Sequence, residues 1–535
     1  MGHAPETFTP VTSITPITPI TPEELERCIA VLESLVDDRA QLTTLDRDAR
    51  VRLLTAAGRL SRPTRDETRR TAKAFRRKDR LEVSTHDRAV TAATEIRAAR
   101  RAEVYVAPPQ LVRGAGESSE ASEASEASEL QKPRDCYVCK QPYRKLHFFY
   151  DAMCPPCAEL NYAKRFQTAS LEGRTALITG ARIKIGYQSA LMMLRAGARV
   201  LVTTRFPRDA AQRFAREQDF PKWKDRLEVF GLDLRHSPSV EVFARYITQT
   251  EARLDILINN AAQTVRRPAA FYAHLLDLER RPYAELPDAL RVVLGAHEEC
   301  KAAMSVEAGH VLSSASGASA GFVAWRGGDG PGRGLRASAM LSQLPCAYDD
   351  TTHDLELFPA GKIDADLQQV DLRTTNSWRL TLGDVPSPEM LEVQLVNAVA
   401  PFILCSKLKP LMVRDRTDEK HIVNVSAMEG QFARRTKTDK HPHTNMAKAA
   451  LNMMTLTSAP DYAASGIFMN AVDTGWVTDE DPIAHSQRKQ LVHDFQPPLD
   501  IVDGAARVCD PFFSGLLTGQ HVWGKFLKDY ASTEW

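Results

Sequence analysis

The stretch TALITGARIKIGYQSALMMLRAGARVLVTTR, residues 175 to 205, decides how this chain is read. A β-rich apolar run ends at Thr179, a turn follows that is punctuated by Gly180 and Gly186, and an apolar helical stretch leads to a second β-rich run ending at Arg205. A glycine-punctuated turn between a strand and a helix lets backbone N–H groups and the helix N-terminus face a pyrophosphate. Further runs, RLEVFGLDL and LDILINNAA, alternate with helical stretches in the same way. That alternation predicts an α/β fold, a Rossmann-type doubly wound parallel sheet with helices on both faces.

Ahead of this region the composition changes three times. Residues 1–22 repeat Thr-Pro units and predict a disordered tail. Residues 23–106 carry apolar residues at helical spacing and predict a small helical domain; its Arg-rich part, RDETRRTAKAFRRKDR, reads as a nucleic-acid or partner surface or as a solvated helix face. Residues 107–133 include a Ser-Glu-Ala tract too polar to order itself, a linker. At 535 residues the chain is too long for one compact core, and a net charge of +1 argues against a nucleic-acid partner. No apolar run is expected to reach the ~18 residues of a membrane helix. The first residues show no basic patch followed by an apolar core, and MGHAPE suits myristoylation poorly, so the expected location is cytoplasmic.

The nine cysteines are odd in number and dispersed, apart from CYVCKQPYRKLHFFYDAMCPPC. There Cys136, Cys139, Cys154 and Cys157 stand as C-x2-C-x14-C-x2-C, over a module at 134–168. Four thiolates suit tetrahedral zinc in a closed, structural site; a redox dithiol or chance pairing are the other readings. Pro155 and Pro156 place the second pair at the start of a helix.

Five further motifs follow in order: GLDLR, DILINNAA, VNAVAPF, HIVNVSA, and AKAAL ahead of NAVDTGWV. Together with the turn they resemble the short-chain dehydrogenase/reductase family over 169–535, with one long insertion at about 266–385. The resemblance implies that Thr179, Gly180 and Gly186 form a cofactor turn and that Asp233 meets adenine. It implies that Asn259, Asn260 and Ala261 close the central strand beside the cofactor and that Asn397 is the structural and relay asparagine. Lys448 would hold the nicotinamide ribose, with Gly475 and Thr478 near the carboxamide. Family members commonly pair through the helix that carries this lysine, so a homo-oligomer is possible. Arg205, with Arg182 assisting, stands where an acidic residue would select NAD, which favours NADP; a surface arginine is the plain alternative.

The pattern breaks in three places. Lys184 replaces the middle glycine of the turn, where it crowds the cofactor or points its ammonium at a phosphate. In HIVNVSAMEG, aligning Gly430 puts Ser426 at the family's first serine and Ala427 at the carbonyl-polarising second. In HPHTNMAKAAL, Thr444 replaces the tyrosine of Tyr-x-x-x-Lys, and an aliphatic hydroxyl is far too weak an acid for that role. His443, His441 or Glu429 are the substitutes within reach in sequence.

The insertion is expected beside the nicotinamide end, with a Gly/Ala/Ser-rich flexible middle and polar ends carrying Arg266, Arg267, Gln369, Asp371, Arg373, Asn376 and Trp378. A substrate lid and a structured cap are equally open. The leading expectation is an NADP-dependent oxidoreductase with a non-standard active site and a structural zinc, acting on a small molecule. Its rivals are a catalytically silent dinucleotide sensor or scaffold, binding a protein partner through the zinc module and N-terminal helices, and a nucleic-acid adaptor.

Overall fold

The computed structural model describes residues 20–101, 129–314, 332–344, 356–364, 368–434 and 436–535. Most of the expected tail, most of the linker and most of the glycine-rich middle of the insertion lie outside the described residues. The chain divides into two units, Met1–Ser84 and Thr85–Trp535.

The first unit holds α1 (Pro22–Asp37), α2 (Arg47–Ser61) and most of α3 (Arg65–Ala92). Local chemistry starts these helices. Thr21 and Glu24 form a reciprocal capping box on α1, and Asp46 accepts from Ala49 N at 2.7 Å to cap α2. No residue of α1 or α2 is buried, and Leu25, Ile29, Val36, Leu54 and Leu60 are exposed. The helical periodicity therefore yields helices without a core of their own. The domain expected over 23–106 is also shorter, because residues from Thr85 onward belong to the second unit, where Ile96 is buried among the knuckle's apolar side chains.

In the second unit β1 (Glu129–Asp135) and β2 (Pro142–Lys145) form an antiparallel pair, followed by α4 (Pro155–Arg165). The chain then builds β3 (Thr175–Thr179), α5 (Lys184–Arg195), β4 (Arg199–Thr204), α6 (Pro207–Ala215), β5 (Leu227–Gly231), α7 (Ser237–Thr250) and β6 (Ile256–Asn259). Next come α8 (Asp288–Ser314), α9 (Ser387–Gln394), one π-helical turn (Leu395–Val399), α10 (Ala400–Val413), β7 (Lys420–Ser426), α11 (Pro442–Ala464) and β8 (Ile467–Asp473). The chain closes with α12 (Ile483–His493), α13 (Ile501–Thr518), β9 (Phe526–Lys528) and β10 (Ala531–Thr533). The sheet order is β10-β9-β8-β7-β6-β3-β4-β5, parallel throughout except for β10. Strand order reverses between β3 and β6, which opens a crevice at the strands' carboxyl ends.

Because both faces are covered, the strands are apolar without alternation; β3 is buried at all five positions. Val200, Val202 and Val229 pack on one face with α5 and α13, and Leu177, Leu201 and Phe230 on the other with α7 and α10. The insertion adds α8, whose Leu290, Val293 and Leu294 join the first core beside β5. The expectation of no long apolar run needs correcting. Ser387–Val413 is 27 residues long and apolar enough by composition to cross a membrane, yet half of its most apolar window is buried inside this domain.

Candidate functional site

The turn after β3 is built by three residues acting on one another. Thr179 Oγ1 accepts from Asn260 N at 3.1 Å and Ala261 N at 3.0 Å, while Asn260 Nδ2 donates to the carbonyls of Thr179 and Gly180. Gly180 has φ +71°, and a Cβ on Gly186 would lie 2.5 Å from Gly180 O and against Asn260 Nδ2. Only hydrogen at residue 186 lets α5 start this close to the turn. Lys184 adopts a left-handed backbone, φ +55°, at a cost of about 1–2 kcal/mol. Asn259 turns away from the crevice, donating to Asn424 Oδ1 at 2.8 Å and to Cys405 Sγ.

At the β4–β5 end, two expectations change. Arg182 is buried and paired with Asp209 at 2.8 Å, so its charge is already answered. Asp233 is buried with its carboxylate in the fork of Arg235, at 2.7 Å from Nη2, rather than open to an adenine. Arg205 donates from Nη2 to Tyr272 Oη at 2.7 Å and lies over that ring, 4.7 Å from its centroid.

At the opposite end the side chains converge on α11. Lys448 is buried and donates to Val425 O at 2.7 Å. Burial pushes its pKa down to about 8, against the pull of Glu429 and Asp473. Between that value and the usual lysine range the unfolded chain keeps a proton that the folded chain has released, so stability rises with pH across this window. Lys448→Met is expected to abolish that rise, at most about 1.4 kcal/mol per pH unit, in urea unfolding at pH 7.5 and 9.5.

Thr444 lies four residues earlier on the same helix face, buried, its Oγ1 without a hydrogen-bond partner among the described residues. Ser426 donates to Asn452 Oδ1 at 2.5 Å, and Ala427 carries no donor. Asn397 sits in the π-helical turn, where its amide accepts from Gln263 N at 2.7 Å and donates to Gln263 O at 3.1 Å. Of the three substitutes only Glu429 is held by a hydrogen-bonded ion pair; both His443 ring nitrogens and His441 Nδ1 are buried without a hydrogen-bond partner among the described residues. His443 faces Glu389 on α9 at 3.7 Å, His441 stacks on Trp378 at 3.9 Å, and Glu429 is paired with Arg434.

Sequence reasoning missed Asp473. It is in register with Ser426 across the parallel β7–β8 pair, hence on the same sheet face as Ser426 and α11. Burial pushes its carboxyl up to about 6, opposed by Lys528. Gly475 has φ +75° and packs against Leu499, and Thr478 Oγ1 donates to Glu480 at 2.8 Å. Most of the insertion's polar ends pair among themselves, Arg267 and Arg373 with Asp371 and Gln369 with the carbonyls of Pro359 and Lys362, while Arg266 reaches out to Glu392 on α9. Asn376 donates to Glu480 O at 2.8 Å, so the insertion clasps the loop after β8.

The thiols of Cys136, Cys139, Cys154 and Cys157 lie within 4.8 Å of one another, compared with the roughly 3.8 Å that four Zn–S bonds of 2.3 Å in a tetrahedron imply. Cys154 is the N-cap of α4, as the prolines suggested. This knuckle is welded to the crevice. Tyr137 Oη accepts from Trp476 N at 2.9 Å, Val477 and Leu499 join its core, and Arg165 on α4 holds Asp500 and Asp503, each at 2.8 Å. No spacing rule in the sequence links Tyr137 to Trp476.

Residues 174–276 match the family model of short chain dehydrogenases, and residues 373–497 match that of enoyl-(acyl carrier protein) reductases. An uncharacterized protein, R665, of Acanthamoeba polyphaga mimivirus is 29% identical over 391 residues, 71% of each chain. Bovine dehydrogenase/reductase SDR family member 13 is 39% identical over 107 residues, 20% of this chain and 26% of that protein's length. A short chain dehydrogenase from Burkholderia cenocepacia in complex with NADP, at 16% identity, aligns with TM-score 0.39 over 67% of this chain and 96% of that one. The two matched stretches flank the insertion and contain the turn, Asn397 and Lys448, and the chain belongs to the short-chain dehydrogenase/reductase family.

Proposed function

We propose that this chain is an NADP-dependent oxidoreductase of the short-chain type whose active site lacks the usual phenol, acting on a small molecule. The observation that carries the reading is Lys448. A fully buried ammonium held at 2.7 Å by a backbone carbonyl is costly to keep, and such groups concentrate where chemistry uses them. The turn fits a pyrophosphate: a Cβ at residue 186 would fill the cradle, and α5 presents its N-terminus there. Arg205 is the cation beside the ribose position and favours a 2′-phosphate. The bound nicotinamide would supply hydride. This chain's residues would do the rest, Lys448 orienting the ribose and Asp473 holding the proton that a tyrosine would otherwise give. Around Asp473 stand Lys448, Glu429, Lys528, Asp529 and Tyr137, which set its charge state. The four thiols would hold a structural zinc that buttresses the Trp476 loop.

The silent-sensor reading is favoured by one observation, that residue 427 has no side-chain hydroxyl and residue 444 has an aliphatic hydroxyl in place of an acidic phenol. Thermal shift with NADPH and NADH, followed by absorbance-monitored NADPH oxidation over carbonyl, enone and imine panels, separates the two. Stabilisation by NADPH with turnover that falls in Asp473→Asn supports the enzyme; stabilisation without turnover on any panel supports the sensor, and no stabilisation removes both.

A further inference from the structure

We propose that the insertion carries an internal plug, formed by Tyr272 and residues 332–344, that fills the adenosine end of the groove and competes with the dinucleotide for it. The inference rests on the nucleotide reading above and adds a regulatory device to it. Each group that an adenosine would use is already answered by the chain itself. The Arg205 guanidinium lies over the Tyr272 ring and donates to its hydroxyl, as it would over a base beside a phosphate. Asp233 N donates to Gly334 O at 2.9 Å, and the Asp233 carboxylate is closed by Arg235, which also reaches Leu341 O at 3.2 Å. Ser338 donates to Arg205 O at 2.9 Å.

The fit is close. A Cβ on Gly231 would lie 2.7 Å from Ser338 Oγ, and one on Gly334 would lie 2.9 Å from Ser239. Leu335 is fully buried in the core that holds Phe230, Leu232 and Val240, while Tyr272 packs with Phe206, Phe271, Ala339 and Phe358. The neighbouring phosphate position is answered too. The Glu480 carboxylate accepts from Thr478 at 2.8 Å; burial raises its pKa, but Lys184 foremost, then Thr478 and Arg267, hold it below the usual range. An aromatic ring under a guanidinium and a carboxylate in a cationic field are the chemical features of adenine and phosphate. Plug and dinucleotide thus require the same partners, and the apparent affinity for the dinucleotide is reduced by the fraction of chains in which the plug is out.

The test uses the full-length protein and NADPH as the probe, by fluorescence titration of wild type and Tyr272→Ala, with hydrogen exchange across 332–344 in the wild type. Competition predicts at least tenfold tighter NADPH binding by Tyr272→Ala and faster exchange of 332–344 when the wild type is saturated. Equal or weaker binding by the variant, or protection of 332–344 by NADPH, overturns the plug and makes the segment a pocket wall, leaving the nucleotide reading intact. Should Tyr272→Ala fail to fold, the wild-type exchange result decides alone. Absence of NADPH binding by both proteins defeats the nucleotide reading itself.

Discussion

Cys154→Ser is expected to release one zinc per chain and to destabilise the knuckle by more than about 5 kcal/mol, because a preformed four-thiolate site contributes its metal-binding free energy to folding. The loss should not stay local. Cys154 caps α4, and α4 carries Asn161 and Arg165, which grip Arg507, Asp500 and Asp503 on and beside α13. Tyr137, between the first two cysteines, holds the backbone of Trp476 in the loop after β8. Chelation of the wild type should reproduce the effect, with a colorimetric zinc assay rising as Trp476 fluorescence changes. A purified protein without zinc, or one whose Tm ignores both the mutation and the chelator, would refute the assignment.

Arg165→Ala is expected to cost 3–5 kcal/mol, the range for removing one partner of a buried ion pair (roughly that magnitude). Arg165, Asp500 and Asp503 are each less than 5% exposed, with Arg165 Nη1 at 2.8 Å from both carboxylates, and Tyr150 donates to Asp503. Burial, then the charge of Asp500, raise the Asp503 carboxyl above its ordinary value, with Arg165 opposing. A carboxyl raised in the folded state keeps a proton that the unfolded chain releases, so its contribution falls as pH rises through that window. Removing the guanidinium extends the effect, and the deficit should be greater at pH 7.5 than at pH 5. Urea unfolding at the two values checks the sign, and an equal deficit at both would show that the charges are not the cause.

How far the sequence reached can be argued from particular residues. The strand–turn–helix at 175–205 was legible because glycine spacing and apolar runs are local properties, and the sheet follows from them through short, right-handed crossovers. The cysteine pairs were legible for the same reason. Thr444 and Ala427 were legible as departures from the family pattern the sequence resembles, since each is judged against a fixed neighbour, Lys448 or Gly430. Partner choice was not legible. Arg182 faces Asp209 and Asp473 shares a face with Ser426, and each pairing joins residues whose meeting is set by packing rather than spacing. The amphipathic helices of the first unit misled in the other direction, because periodicity reports a face able to bury and says nothing of what covers it.

The sequence by itself determined the parallel sheet, the glycine-punctuated turn, the paired cysteine spacing and the threonine four residues before Lys448, all of which rest on residue type at short separation. Only the tertiary structure decided that the knuckle buttresses the Trp476 loop and that the insertion reaches both ends of the groove. Those outcomes depend on contacts such as Tyr137 with Trp476 and Gly334 with Asp233. They link residues about a hundred or more positions apart, and contacts at such separations are selected by the burial and polar satisfaction of the whole fold.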